Sequence, residues 1–150
     1  MSFNTPNGTR GGRPFSTEQM KQFNEPNIAR IRRGENLGNI LVLVTVGKRS
    51  GQVRENPVAY FPTSDGSYLV VASAAGGAKH PAWYFNLGAH PDQVRVVLGG
   101  KEVPVTAEEL QGTDRDHVWT QIKAASAGFA QYEQMTDRTI PVIKLTPATA

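Results

Sequence analysis

The 150 residues contain no cysteine. That excludes a disulfide scaffold, a thiolate nucleophile, a Cys-rich zinc site and a Cys-ligated iron–sulfur cluster, and it fits a reducing compartment. Histidine is scarce as well. His80, His90 and His117 are the only three, they fall in different elements without i,i+4 spacing, and no metal site is expected. Long apolar runs are missing: the longest, Ile40 to Val46, has the length of a strand, far short of the ~20 residues of a membrane span. The opening MSFNTPNGTRGGRPF lacks the apolar core of a signal peptide, so a cytoplasmic location is expected. The P-loop order, a Gly-x-Ser-x-Gly nucleophile elbow, heptads and internal repeats are absent too.

What remains is a mildly basic chain of net charge +3 whose cations are grouped: Arg30, Arg32 and Arg33, then Lys48, Arg49 and Arg54. Such groups attract anions, whether nucleic acid, lipid or a phosphorylated small molecule. The length fits one domain. Residues 1–15, rich in Gly, Pro, Asn and Thr, read as a disordered tail. Residues 16–34 read as a helical segment: Ser16 and Gln19 form a capping box, Pro26 interrupts, and Asn27 to Arg33 makes a second amphipathic stretch.

From residue 35 to 150 strands dominate. Ile40–Val46, Val53–Phe61 and Tyr68–Ala74 form a meander with a hairpin signal at Ser64-Asp65-Gly66-Ser67. Gln93–Leu98 and Glu102–Leu110 pair around Gly99-Gly100, and Ile140–Leu145 is the last strand. Helices are expected from Lys79 to Leu87 with Pro81 in the first turn, from a Thr113/Asp116 capping box to about Ala125, and around Phe129 to Met135. Six strands joined mainly by hairpins predict an α+β, mainly β chain: a six-stranded antiparallel barrel with flanking helices.

Two segments are suited to holding an anion. Gly47-Lys48-Arg49-Ser50-Gly51-Gln52, followed by Arg54, sets cations and a hydroxyl in a glycine-bounded turn, where backbone N–H groups also face outward. A solvated hairpin loop accounts for the same residues equally well. Ser73 to Tyr84 combines a strand end, Gly76-Gly77 for close backbone approach, Lys79 and a helix N-terminus. There Lys79 points to function, whereas Trp83 and Tyr84 are accounted for by packing the helix onto the barrel. A third segment, Phe129 to Pro141, brings aromatic residues to the last strand, where they line a pocket or close the core; Asp137 and Arg138 read as a local structural pair. Basic residues on loops and a helix end do not make a DNA-reading helix.

Taken in order, these segments resemble the deazaflavin (F420)-dependent nitroreductase family. Gly47-Lys48-Arg49-Ser50-Gly51-Gln52 with Arg54 and Asn56-Pro57 is similar to its cofactor loop. Gly77 to Asn86, with Lys79, Pro81, Trp83 and Tyr84, resembles its second block. Thr136-Asp137-Arg138-Thr139-Ile140-Pro141 resembles its C-terminal signature. The likeness runs from about Gly38 to Leu145. It implies a split β-barrel related to flavin-binding pyridoxamine-phosphate oxidases, an actinobacterial type of host, and coenzyme F420 as cofactor, with FMN as the lesser alternative. F420 carries a phosphate and a polyglutamate tail, which matches Lys48, Arg49, Arg54 and Lys79 as anion ligands. The resemblance adds Ser50, Pro57, Ser73 and Gly77 to the cofactor groove and sets Tyr60 and Trp83 near the ring or behind it. It places Ser126, Phe129 and Tyr132 at the substrate pocket, with Tyr132 as proton donor.

The function implied is hydride transfer from F420H2 to a conjugated small-molecule acceptor: an activated alkene or enone, a quinone or a nitroaromatic. The cofactor brings the redox chemistry, so neither triad nor metal is needed. Relatives active on nitroimidazoles carry several tyrosines where this chain has Ser126, Phe129 and Tyr132, which makes the expected pocket wall less polar. The alternative is a non-catalytic module that binds or stores F420, a flavin or haem; a basic lipid- or nucleic-acid-binding protein ranks third. No nucleic-acid partner is expected, membrane association at most weak and peripheral through Arg30, Arg32 and Arg33, and the state monomer or dimer.

Overall fold

The apolar run Ile40–Val46 forms strand β1, and both of its faces are covered. In the computed structural model, which describes residues 3–12 and 16–148, Leu41 and Leu43 point into a barrel while Val42 and Val44 point outward beneath a helix. The other strands are β2 (Val53–Pro62), β3 (Tyr68–Val71), β4 (Val94–Leu98), β5 (Lys101–Glu109) and β6 (Val142–Pro147). They close in the order β1-β2-β3-β6-β5-β4, with β4 returning to β1 and every pair antiparallel. Closure leaves no free sheet edge. The expected six-stranded antiparallel barrel is thus the fold found.

Leu41, Leu43, Val70, Val94, Val96, Val105, Ile143 and Leu145 fill the barrel, and Trp83, Tyr84 and Leu87 of helix α2 (Ala82–Ala89) plug it. Outside, Ile28 and Ile31 of α1 (Thr17–Arg32) cover Val42, Val44 and Val97. Trp119 and Ile122 of α3 (Gly112–Ala125), with Phe129 and Tyr132 of α4 (Ala127–Met135), cover Leu69, Val71 and Val142.

The structure corrects four local expectations. The Ser16/Gln19 capping box is present, but Pro26 does not divide the segment, and α1 runs unbroken from Thr17 to Arg32. Pro26 is exposed, so the backbone bond it forfeits at the Gln22 carbonyl faces water, while Ile28 and Ile31 anchor the helix beyond it. Pro81 is the N-cap of α2 and not its first turn, and α2 extends past Gly88. The Thr113/Asp116 box does not form; α3 opens one residue earlier, with Gln111 as N-cap and no side-chain cap.

The fourth correction is the tail. Residues 3–12 lie along the barrel as a strap; Met1, Ser2 and residues 13–15 fall outside the described residues. Phe3 packs on Tyr84 with ring centroids 5.6 Å apart, the Asn7 amide oxygen accepts from the His80 N–H at 2.9 Å, and the Gly8 N–H donates to Ala78 at 2.7 Å. The Asp137 carboxylate accepts from the Thr9 and Arg10 N–H groups and the Thr9 hydroxyl, which holds its pKa down at about 2. A depressed carboxylate stabilises above its ordinary pKa, so this grip is complete at neutral pH and is lost as pH falls below 4 toward 2. Polar composition alone misleads because these bonds come from residues more than 70 positions away.

Gly11 sits so close to the barrel that a Cβ there would lie 2.1 Å from the Ala78 nitrogen, a backbone atom that cannot step aside. Gly11→Ala should therefore lift the strap, costing about 1–3 kcal/mol. Limited proteolysis should cut the variant within residues 3–12 faster than wild type; equal rates would show that the strap is not seated as described.

Candidate functional site

With all pairs antiparallel, β1, β3 and β5 end where β2, β4 and β6 begin. That barrel end gathers the 47–52 turn, the 72–81 loop, α2 and the 136–141 segment. Thr45 pairs with Arg54 and Leu43 with Asn56, which brings the turn and the start of β2 together. Tyr60 pairs with Val70, and continuing that register beyond Val71 sets Ser73 level with Pro57.

The 47–52 turn is tied at its base by the Gly47 N–H to the Gln52 carbonyl at 2.8 Å, and at its crown by the Gln52 N–H to the Ser50 hydroxyl at 3.1 Å. Asn86 on α2 is the bridge to the helix. Its side-chain oxygen accepts from the Lys48 N–H at 3.0 Å while its amide donates to the Thr45 hydroxyl at 3.2 Å. Between turn and helix runs an open groove of about 680 Å³ lined by Lys48, Arg49, Ser50 and Arg54 on one side and by Trp83, Phe85 and Asn86 on the other. Lys48 Nζ also stands 5.9 Å over the Phe85 ring. Lys48, Arg49 and Arg54 make no carboxylate pair among the described residues, whereas Glu55 beside them is taken by Arg32 at 2.8 Å. The groove therefore presents three uncompensated cations, an arrangement that favours an anionic ligand.

Five of the ten expected cofactor residues line this groove: Lys48, Arg49, Ser50, Arg54 and Trp83. Pro57, Tyr60, Ser73, Gly77 and Lys79 do not. Tyr60 packs on the barrel core with its ring 5.7 Å from Tyr68, edge to face. Ser73, Gly77 and an exposed Lys79 flank a turn whose three residues Ala74, Ala75 and Gly76 all have positive φ, at 46°, 52° and 77°. Two alanines in the left-handed region cost about 1–2 kcal/mol each, strain of a kind that clusters at functional sites. A Cβ on Gly76 would come within 3.0 Å of Met135 Cβ and 3.1 Å of the Tyr132 carbonyl oxygen, so this turn is pressed against α4. Of the expected pocket residues, Phe129 and Tyr132 lie half-buried on α4 with ring centroids 6.1 Å apart, and Ser126 is the joint between α3 and α4.

Beneath the loop lies a buried polar network. Arg138 donates to the carbonyls of Ala72, Ser73 and Gly77 and to His80 Nδ1. His80 in turn meets the Thr5 carbonyl at 2.8 Å. Next to it the Tyr84 hydroxyl donates to Glu109 at 2.6 Å and accepts from the Thr5 N–H. Burial, then the bond to Glu109, raises the Tyr84 pKa well above that of a free tyrosine. Reading the sequence missed Asn86, His80 and Glu109. The signal for Glu109 was present: it continues the inward alternation Val105, Ala107, Glu109 along β5. Among the described residues no cluster of His, Cys, Asp and Glu suits a metal, and no helix is long and apolar enough to cross a membrane. Arg30 and Arg33 pair with Glu35, and Arg32 with Glu55 and Glu102, so the charges expected to attract a membrane are largely matched within the chain.

A closed barrel of this topology with an anion groove at one end defines the split-barrel class of flavin and deazaflavin proteins. The haem storage protein HutZ of Vibrio cholerae shares the fold at TM-score 0.55 and 18% identity over 84% of this chain and 91% of that one. Nearer relatives specify the cofactor. Residues 16–147 match the F420H(2)-dependent quinone reductase family model, and the chain belongs to that family. An F420H(2)-dependent quinone reductase of Mycobacterium tuberculosis is 38% identical over 109 residues, 71% of this chain and 72% of that protein. The solved F420-H2 dependent reductase FDR-A is 40% identical, with TM-score 0.65 over 74% of this chain and 97% of that one. A further structure, a domain-swapped dimer, is 36% identical at TM-score 0.66, covering 85% and 94%. The chain is accordingly an F420-dependent oxidoreductase.

Proposed function

We propose that this protein passes a hydride from F420H2 to a planar, electron-poor acceptor, with quinones as the main class and enones and nitroaromatics as further acceptors. The observation that carries the reading is the groove with three uncompensated cations. Its residues fit F420, because Lys48, Arg49 and Arg54, with the Ser50 hydroxyl, would hold the phosphate and carboxylates of the cofactor and Trp83 would back it. Ser73, Gly77 and Lys79 approach from the loop, and Pro57 and Tyr60 lie on the strand between. When bound, reduced F420 supplies the hydride.

The protein's own work is then positional. The 47–52 turn and the 72–81 loop fix the cofactor at one end of a rigid barrel, which limits the reacting geometries. Ser126, Phe129 and Tyr132 form the acceptor side. Phe129 gives it an apolar wall suited to a flat conjugated ring, and Tyr132 is the only hydroxyl-bearing aromatic there to donate a proton. The reading needs no membrane anchor and is compatible with monomer or dimer.

Anaerobic oxidation of F420H2 by menadione, a coumarin and a nitroaromatic tests this. Enzyme-dependent oxidation, fastest with menadione, is expected. Bound F420H2 that no acceptor oxidises would establish the alternative, a module that only binds or stores F420 or a flavin.

A further inference from the structure

The Asp137-Arg138 pair that a sequence reading assigns to local structure divides its work between two distant segments. Asp137 grips the strap, while Arg138 turns the other way. Arg138 is buried, 5% exposed, and its partners are three carbonyls and an imidazole. Its Nε donates to Gly77 at 2.7 Å, Nη1 to Ala72 at 2.9 Å and to His80 Nδ1 at 3.0 Å, and Nη2 to Ser73 at 2.6 Å. A buried cation without a carboxylate partner is a poor device for stability alone. All four bonds, however, bracket the left-handed residues 74–76. The backbone strain there persists only if the surroundings impose it.

We propose that Arg138 is a positioning residue for the cofactor: with neutral His80 beside it, its guanidinium holds the 74–76 turn in the shape that presents Ser73, Gly77 and Lys79 to F420. The proposal rests on the loop forming part of the cofactor site, as inferred above. The uncompensated charge also adds to the attraction of the loop for an anion.

The hydrogen bonds dictate the state of His80. Nδ1 accepts from Arg138, so it carries no proton, and Nε2–H donates to the Thr5 carbonyl. A second proton would set an N–H against the guanidinium. Burial lowers the His80 pKa and the Arg138 charge lowers it further, against the carbonyls of Thr5 and Pro6 and the Glu109 carboxylate, which raise it. The Tyr84 and Phe85 rings, at 4.5 Å and 5.8 Å, complete its surroundings. With a lowered pKa, the clamp is intact at neutral pH and is lost only on the acid side of the ordinary histidine range.

The test is F420 affinity measured by equilibrium ultrafiltration from about pH 5 to about pH 8, across the histidine range, with folding followed by circular dichroism. Wild type is compared with Arg138→Lys, His80→Gln, Lys79→Ala and Lys48→Ala. Lysine keeps the charge but cannot reach four acceptors as a fork, so Arg138→Lys should weaken binding roughly tenfold with the barrel intact. The amide introduced by His80→Gln accepts at its oxygen and donates at its nitrogen without titrating. Its affinity relative to wild type should therefore rise as pH falls. Wild-type affinity in Arg138→Lys, or an identical pH profile in His80→Gln, overturns the proposal while leaving the groove reading untouched. If Lys79→Ala binds normally and Lys48→Ala does not, the loop lies off the cofactor and the proposal fails with it. Should Arg138→Lys not fold, the His80→Gln profile decides alone.

Discussion

Replacing Lys48 and Arg54 together by alanine raises the Kd for F420 by about a hundredfold or more and leaves the melting temperature nearly unchanged. Both side chains are exposed, make no carboxylate pair among the described residues and face the same groove. Each charge-assisted bond to an anion contributes about 1.5–3 kcal/mol, and solvent screening favours the lower end for exposed groups. Two such bonds at the lower end amount to about 3 kcal/mol, a little over a hundredfold. Stability should not follow, because exposed cations without partners carry no packing. Raising the ionic strength should weaken wild-type binding and have less effect on the double variant. An affinity within about threefold of wild type would mean that the groove's charge serves solubility and that the anion binds elsewhere.

Glu109→Ala should be the most destabilising of the polar changes. Glu109 is 4% exposed and accepts from the Tyr84 and Thr5 hydroxyls, so truncation leaves the fully buried Tyr84 hydroxyl without an acceptor, unfastens the strap at Thr5 and opens a cavity at the barrel end. The cost is about 3–5 kcal/mol, or roughly 10 °C in melting temperature for a domain of this size. Tyr84→Phe in the same chain should recover part of the loss, since a buried donor and acceptor removed together cost less than either alone. Thermal unfolding of the two single variants and the double variant measures this. A Glu109→Ala variant melting within about 2 °C of wild type would show that Tyr84 and Thr5 find other partners.

The barrel was legible where pattern and burial agree. Ile40–Val46 is apolar at every position but one because the barrel core lies on one side of it and α1 on the other, and the Val103–Ala107 alternation marks a strand with one wet face. The 47–52 turn was legible because glycines and cations in a short hairpin have few other uses. What the sequence did not disclose is held by long-range bonds. Arg138 reaches residues 58 to 66 positions away, and Asp137 reaches Thr9 across 128. Local composition carries no trace of such pairings, so a polar N-terminal segment reads as a free tail and a buried arginine as a surface one. The family resemblance reached the cofactor correctly. It grouped ten residues as one site, where the structure puts five in the groove and three beside the strained turn.

Titrating the protein with F420 and, separately, with FMN, followed by intrinsic and cofactor fluorescence, tests the central claim most directly. The account predicts saturable, tight binding of F420 that weakens with salt, and FMN binding weaker by at least about tenfold. FMN binding in preference to F420, or binding of neither, would contradict it.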